Sequence, residues 1–105
     1  MALNISESTF KNFIENSLSL LYIRADWCGP CKQLSPIIDE VSSELGTKVT
    51  VGKMDADANL EFVKTLNVRN IPTILYYKNG EVVERTSGLK TKNEILSIVN
   101  KLLEN

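Results

Sequence analysis

Leu18-Ser19-Leu20-Leu21-Tyr22-Ile23-Arg24-Ala25-Asp26-Trp27-Cys28-Gly29-Pro30-Cys31-Lys32-Gln33-Leu34 is the stretch whose reading decides the fold. Leu18–Ala25 is an apolar run of strand length. After it, Leu34, Ile37, Ile38, Val41 and Leu45 recur at three- and four-residue spacing, the pattern of an amphipathic helix. Between them sit the only two cysteines of the chain, with two residues between the pair. Such a pair can close a disulfide and open it again. Where a strand hands over to a helix, it is a redox site by placement as well as by pattern.

The chemistry follows from helix physics. A helix start carries unpaired N–H groups and a partial positive charge. A thiolate placed there is stabilised, and its pKa falls below the free value of about 8.5. Cys28 precedes the helix and is expected to be the attacking sulfur in thiol–disulfide exchange. Cys31, about one turn inside and more buried, is expected to resolve the mixed disulfide. Pro30 suits a first helical turn, where no intrahelical bond needs its N–H. Gly29 allows a partner chain to approach, and Trp27 adds a flat apolar surface. A structural disulfide is the weaker reading, because so short a loop restrains the unfolded chain little. A zinc site needs more than two sulfurs, and the chain has no histidine. An iron–sulfur cluster also needs more thiolates than one chain holds. Two ordinary buried cysteines would not explain the Gly-Pro turn between them.

At 105 residues the chain is expected to be a single domain, 1–105. Its 12 basic and 13 acidic residues are well mixed, for a net charge of -1. No basic stripe points to nucleic acid, and no apolar run is long enough to span a membrane. The start has no leader pattern, so a cytoplasmic location is expected by default. There a lone dithiol is more often catalytic than structural. Nothing in the chain demands an oligomer, and a monomer is expected.

Working outward, Leu3–Ile5 is a short strand candidate. Glu7–Asn16 is a helix with Phe10, Phe13 and Ile14 on one face. The long helix is expected from about Cys31 to Leu45, stopping at Gly46 and kinked between Lys32 and Pro36. Val49–Asp55 reads as a strand, and Leu60–Leu66 as a short helix turning Phe62, Val63 and Leu66 inward. Thr73–Lys78 and Glu81–Ser87 flank Asn79-Gly80, a strong hairpin signal. Thr91 and Glu94 form a capping box for a last helix with an apolar stripe of Ile95, Ile98, Val99, Leu102 and Leu103. The order predicts an α/β fold: parallel βαβ units, an antiparallel hairpin, and helices on both faces of a mixed sheet.

Trp27-Cys28-Gly29-Pro30-Cys31-Lys32, Pro36, Lys53, Ile71-Pro72-Thr73, Asn79-Gly80 and Gly88 together resemble the thioredoxin family over essentially the whole chain. The resemblance implies the thioredoxin fold, a central five-stranded mixed sheet flanked by four helices. It implies a thiol–disulfide oxidoreductase that reduces disulfides in protein substrates and is regenerated by thioredoxin reductase. No haem, flavin or metal is implied, since the electrons sit on the sulfurs. It further implies a cis Ile71–Pro72 bond facing the dithiol. Trp27, Gly29, Pro30, Ile71, Pro72 and Gly88 would belong to a docking surface on which the Ile71 backbone pairs with substrate.

The chain departs from the family pattern at three places. Tyr22 stands where the family has a buried aspartate, and a neutral tyrosine is a poor base. Two readings are open: a packing residue with a bonded hydroxyl, or a hydroxyl that relays a proton through water. Either way, Cys31 is expected to resolve more slowly at neutral pH. Tyr22→Asp is expected to raise the Cys28 pKa and speed resolution. Lys53, without that carboxylate, either acts on the cysteines or reaches solvent. Arg24 stands where the family has tryptophan, and Asp57 matches the acid beside it, so an Arg24–Asp57 pair is expected. Arg24 is a candidate to favour the Cys28 thiolate; the alternative is a solvated side chain. Asn70, Ala56 and Ser87 are expected to make the groove shallower and more polar. Two other functions share the fold: an oxidant or isomerase, and a binding subunit without turnover.

Overall fold

The computed structural model describes residues 2–104. In chain order the elements are β1 (Leu3–Asn4), α1 (Glu7–Ile14), β2 (Leu18–Arg24), α2 (Gly29–Leu45), β3 (Thr50–Asp55), α3 (Leu60–Thr65), β4 (Thr73–Lys78), β5 (Glu81–Ser87) and α4 (Lys92–Glu104). The sheet order is β1-β3-β2-β4-β5. β3 runs parallel to β1 and β2, and β4 runs antiparallel to β2 and β5.

The apolar run at Leu18 is buried because the sheet is covered on both sides. Its residues alternate between two cores. Leu18, Leu20 and Tyr22 point to the face covered by α2 and α4, with Leu34, Ile38, Val41, Ile95 and Val99. Leu21 and Ile23 point to the face covered by α1 and α3, with Phe13 and Val63. β4 alternates in the same way through Ile74 and Tyr76 on one side and Leu75 and Tyr77 on the other. Position 22 therefore lies under α2, the helix that carries the dithiol.

Several predicted boundaries move. α2 begins at Gly29 rather than Cys31, with Cys28 as its N-cap and Pro30 in its first turn. It continues through Pro36 as one element, and Lys32, whose carbonyl loses its intrahelical partner there, is exposed. α1 ends two residues early, capped by Glu15. β1, β3 and α3 are each one residue shorter than expected. Leu103 does not join the buried stripe of α4 and is 42% exposed. At 3.6 residues per turn it falls about 80° round the helix from Ile95. The capping box forms as read: Glu94 N–H donates to Thr91 Oγ1 at 3.1 Å, and Thr91 N–H donates to Glu94 Oε1 at 2.9 Å. The hairpin turn takes φ of 53° at Asn79 and 86° at Gly80, the two positive values such a turn requires.

Candidate active site

β2 ends at Arg24, and the chain turns through Ala25–Trp27 into α2, with Cys28 N–H donating to the Ala25 carbonyl at 3.2 Å. Cys28 and Cys31 are joined as a disulfide with their Cα atoms 5.3 Å apart. The Cys31 N–H donates to Cys28 Sγ at 3.2 Å. This amide is one of the orphan donors of the helix start, and it is aimed at the Cys28 sulfur. The expected contrast in burial is absent, with Cys28 3% and Cys31 2% exposed. What distinguishes Cys28 is its contacts, its Sγ accepting the Cys31 amide and lying near the Ile71 carbonyl.

In front of Cys28 lies the loop into β4. Ile71–Pro72 is cis, as the resemblance implied. The Ile71 carbonyl oxygen is 3.7 Å from Cys28 Sγ. Pro72 is itself buried, and its carbonyl accepts the Gly88 N–H at 2.9 Å, which ties the end of β5 to this loop. Gly88 has φ of 86°, and a Cβ there would meet open space, so backbone conformation rather than room demands glycine. Trp27 is 68% exposed, with its indole N–H donating to Asp57 Oδ2 at 3.0 Å. Gly29, Pro30, Asn70 and Ser87 are exposed around it. Ala56 is buried against the α1/α3 core, so it adds no polarity to this surface.

Tyr22 and Arg24 stand behind Cys31. Tyr22 is fully buried. Its hydroxyl donates to the Cys31 carbonyl at 3.1 Å and lies 2.9 Å from Ser35 Oγ. Burial pushes the Tyr22 pKa above its usual 10.0, the Ser35 bond and Arg24 opposing and Asp39 adding to the rise. The Tyr22 hydroxyl thus ties the first turn of α2 to the sheet. The expected Arg24–Asp57 pair does not form. Arg24 ends β2 in register with Asp55 of β3, and its guanidinium pairs with Asp26 and, at 3.5 Å, with Asp55. Asp57 lies beyond the strand end, where Trp27 takes it. Lys53 lines a cleft of about 550 Å³ together with Arg24, Ser35 and Asp55.

Ser35 and Asp26 were not singled out from sequence. Ser35 had a readable signal: it lies four residues after Cys31 on the same helix face. Asp26 had none, because its meeting with Arg24 depends on the turn after β2.

A disulfide-forming cysteine pair at a helix start, with one sulfur aligned on a backbone amide, defines a thiol–disulfide oxidoreductase. The thioredoxin family model matches residues 1–101. The thioredoxin of Rickettsia felis is 47% identical over 103 residues, covering 96% of this chain and 98% of that protein. The thioredoxin of Listeria monocytogenes is 38% identical over 101 residues, covering 96% and 98%. A mutant thioredoxin from Halobacterium salinarum superimposes with a TM-score of 0.91 at 27% identity, covering 99% of this chain and 92% of that one. The chain belongs to the thioredoxin family, and its activity is that of a protein-disulfide reductase.

Proposed function

We propose that Cys28 is the attacking sulfur and Cys31 the resolving one, in the reduction of disulfides on extended protein segments. The observation that carries this division is the Cys31 N–H donated to Cys28 Sγ at 3.2 Å. A thiolate at Cys28 keeps that bond and gains from the helix start. Substrate would lie across Trp27, Gly29, Pro30, Ile71 and Gly88. There the exposed indole offers apolar area, and the missing Cβ atoms let a second backbone come close. Pro72 would act from beneath by holding Ile71 and Gly88 in place. Thioredoxin reductase would return the disulfide to the dithiol. The working compartment would be reducing, with the cytoplasm the simplest choice. Among the described residues no helix is long and apolar enough to cross a membrane.

Trapping tests the division of labour. Cys31→Ser, mixed with an oxidised protein substrate, is expected to accumulate a mixed disulfide at Cys28 visible by mass spectrometry. Cys28→Ser is expected to accumulate none. The opposite pattern would reverse the roles. Titration of the wild-type couple against glutathione is expected to give a potential below the cytosolic glutathione poise. A potential above it would make the protein an oxidant or isomerase.

A further inference from the structure

Cys31 borders a cavity of about 140 Å³ on the side away from Ile71, lined by Arg24, Ala25, Asp26, Cys31, Lys32 and Ser35. Arg24 and Ser35 also line the larger cleft that holds Lys53 and Asp55. The two spaces share these side chains, so Cys31 borders a polar region that a substrate docked in front would leave open. No carboxylate is buried behind Cys31, since Tyr22 fills that position and its hydroxyl is taken by the Cys31 carbonyl and Ser35. The charged groups that line the cavity with Cys31 are two cations, Arg24 and Lys32, and one carboxylate, Asp26. The Arg24 side chain is 23% exposed, against 86% for its partner Asp26 and 37% for Asp55. Water screens the more exposed carboxylates more than the guanidinium, which leaves the cavity with a net positive lining.

We propose that Arg24 is a positioning residue for resolution, holding Cys31 as a thiolate through the rear cavity in place of a buried base. The inference rests on the assignment of Cys31 as resolving sulfur. In the step itself, the Cys31 thiolate attacks Cys28 Sγ of the mixed disulfide. The Cys28–Cys31 bond forms and the Cys28–substrate bond breaks. The substrate sulfur leaves with the electron pair as a thiolate, and the Cys31 proton has already passed to water at the rear. Two devices then activate the two sulfurs: backbone amides of the helix start for Cys28, and a side-chain cation for Cys31. The other charges facing this region are Lys32, which adds to the effect, Asp26 and Asp55, which oppose it, and Asp39 beyond Tyr22, which also opposes it. Lys53 lines only the outer cleft.

The test is single-turnover reaction of the reduced protein with uncharged dipyridyl disulfide across a pH series. Attack by Cys28 releases one thione, and resolution by Cys31 releases the second. Arg24→Gln is expected to slow the second release roughly threefold to tenfold near pH 7, with recovery above about pH 9. The first release should change less. Arg24→Lys is expected to restore most of the rate, a rescue that a purely structural role would not require. Asp26→Asn, at an exposed site that folding tolerates, is expected to shift the second-release profile to lower pH. An unmoved profile in Arg24→Gln, or an upward shift in Asp26→Asn, overturns the inference. Cys31→Ser separates the two readings, because it should release one thione only. If it releases two, the resolving role of Cys31 fails instead.

Discussion

The two sides of the dithiol differ in how far they keep the family pattern. The front carries Trp27, Gly29, Pro30, the cis Ile71–Pro72 bond and Gly88, residues that carry the resemblance, departs from it at the exposed Asn70 and Ser87, and makes its key contacts with backbone atoms. The Cys31 amide meets Cys28 Sγ, the Ile71 carbonyl lies beside that sulfur, and the Gly88 amide meets the Pro72 carbonyl. The rear is built from the side chains of Tyr22, Arg24 and Ser35. The difference shows which half of the chemistry is tied to the fold. Backbone donors at a helix start come with the strand–helix junction, whereas rear charges can be exchanged once packing and polar satisfaction are kept.

The largest expected effect on stability comes from forcing the family's residue back into the rear. Tyr22→Asp puts a small carboxylate into a fully buried site made for a ring. It is expected to cost about 3–5 kcal/mol from cavity and desolvation together. Burial would raise the folded-state pKa of that Asp above its unfolded value, so the folded state would bind more protons. The penalty is then least at low pH and grows as pH rises from about 4 to the raised folded pKa. Urea melts at several pH values check this, and a penalty independent of pH would exclude a buried carboxylate. The same variant is expected to raise the Cys28 pKa, read by alkylation rate against pH.

A front-side change should behave differently. Gly88→Ala would place a side chain at φ of 86° with nothing within 4 Å of its Cβ. A loss of about 1–2 kcal/mol is expected from backbone strain, with weaker substrate docking and no shift in either sulfur's pH profile. Thermal melts and substrate titration check it, and a shifted Cys31 profile would blur the division between front and rear.

The smallest effect is expected from Tyr22→Phe. It removes the hydroxyl bonds to Cys31 and Ser35 and keeps the ring, at about 1 kcal/mol. The pH sign is distinct. The folded-state pKa of Tyr22 is raised above 10.0, so its stabilisation is complete below about pH 10 and is lost as pH climbs through the folded value. Tyr76 and Tyr77, both pushed up to about 12 by burial, lose stability over the same alkaline range and form the common background. The difference between wild type and Tyr22→Phe should therefore shrink at alkaline pH. A constant difference would mean that burial does not raise the Tyr22 pKa in the folded state.

The local pattern of this chain determined the element order, the mixed sheet, the hairpin turn, the last capping box and the redox pair. Each is written in short-range periodicity or in residues whose backbone preferences are narrow, such as Asn79-Gly80 and Gly29-Pro30. Resemblance, rather than spacing, supplied the cis proline and the surface around it. The rear of the site was legible only in part. Tyr22 could be seen to replace an acid, but the destination of its hydroxyl depended on α2 lying over β2 with Ser35 one turn past Cys31. The resemblance pointed Arg24 to Asp57, the match of the family acid beside the tryptophan that Arg24 replaces. The parallel register of β2 and β3 set Arg24 opposite Asp55, and the turn after β2 brought Asp26 round to it. Ion pairs near strand ends are decided by register and turn geometry, which a shift of one residue rearranges. The elements themselves rest on many residues acting together, and for that reason they survive in the sequence.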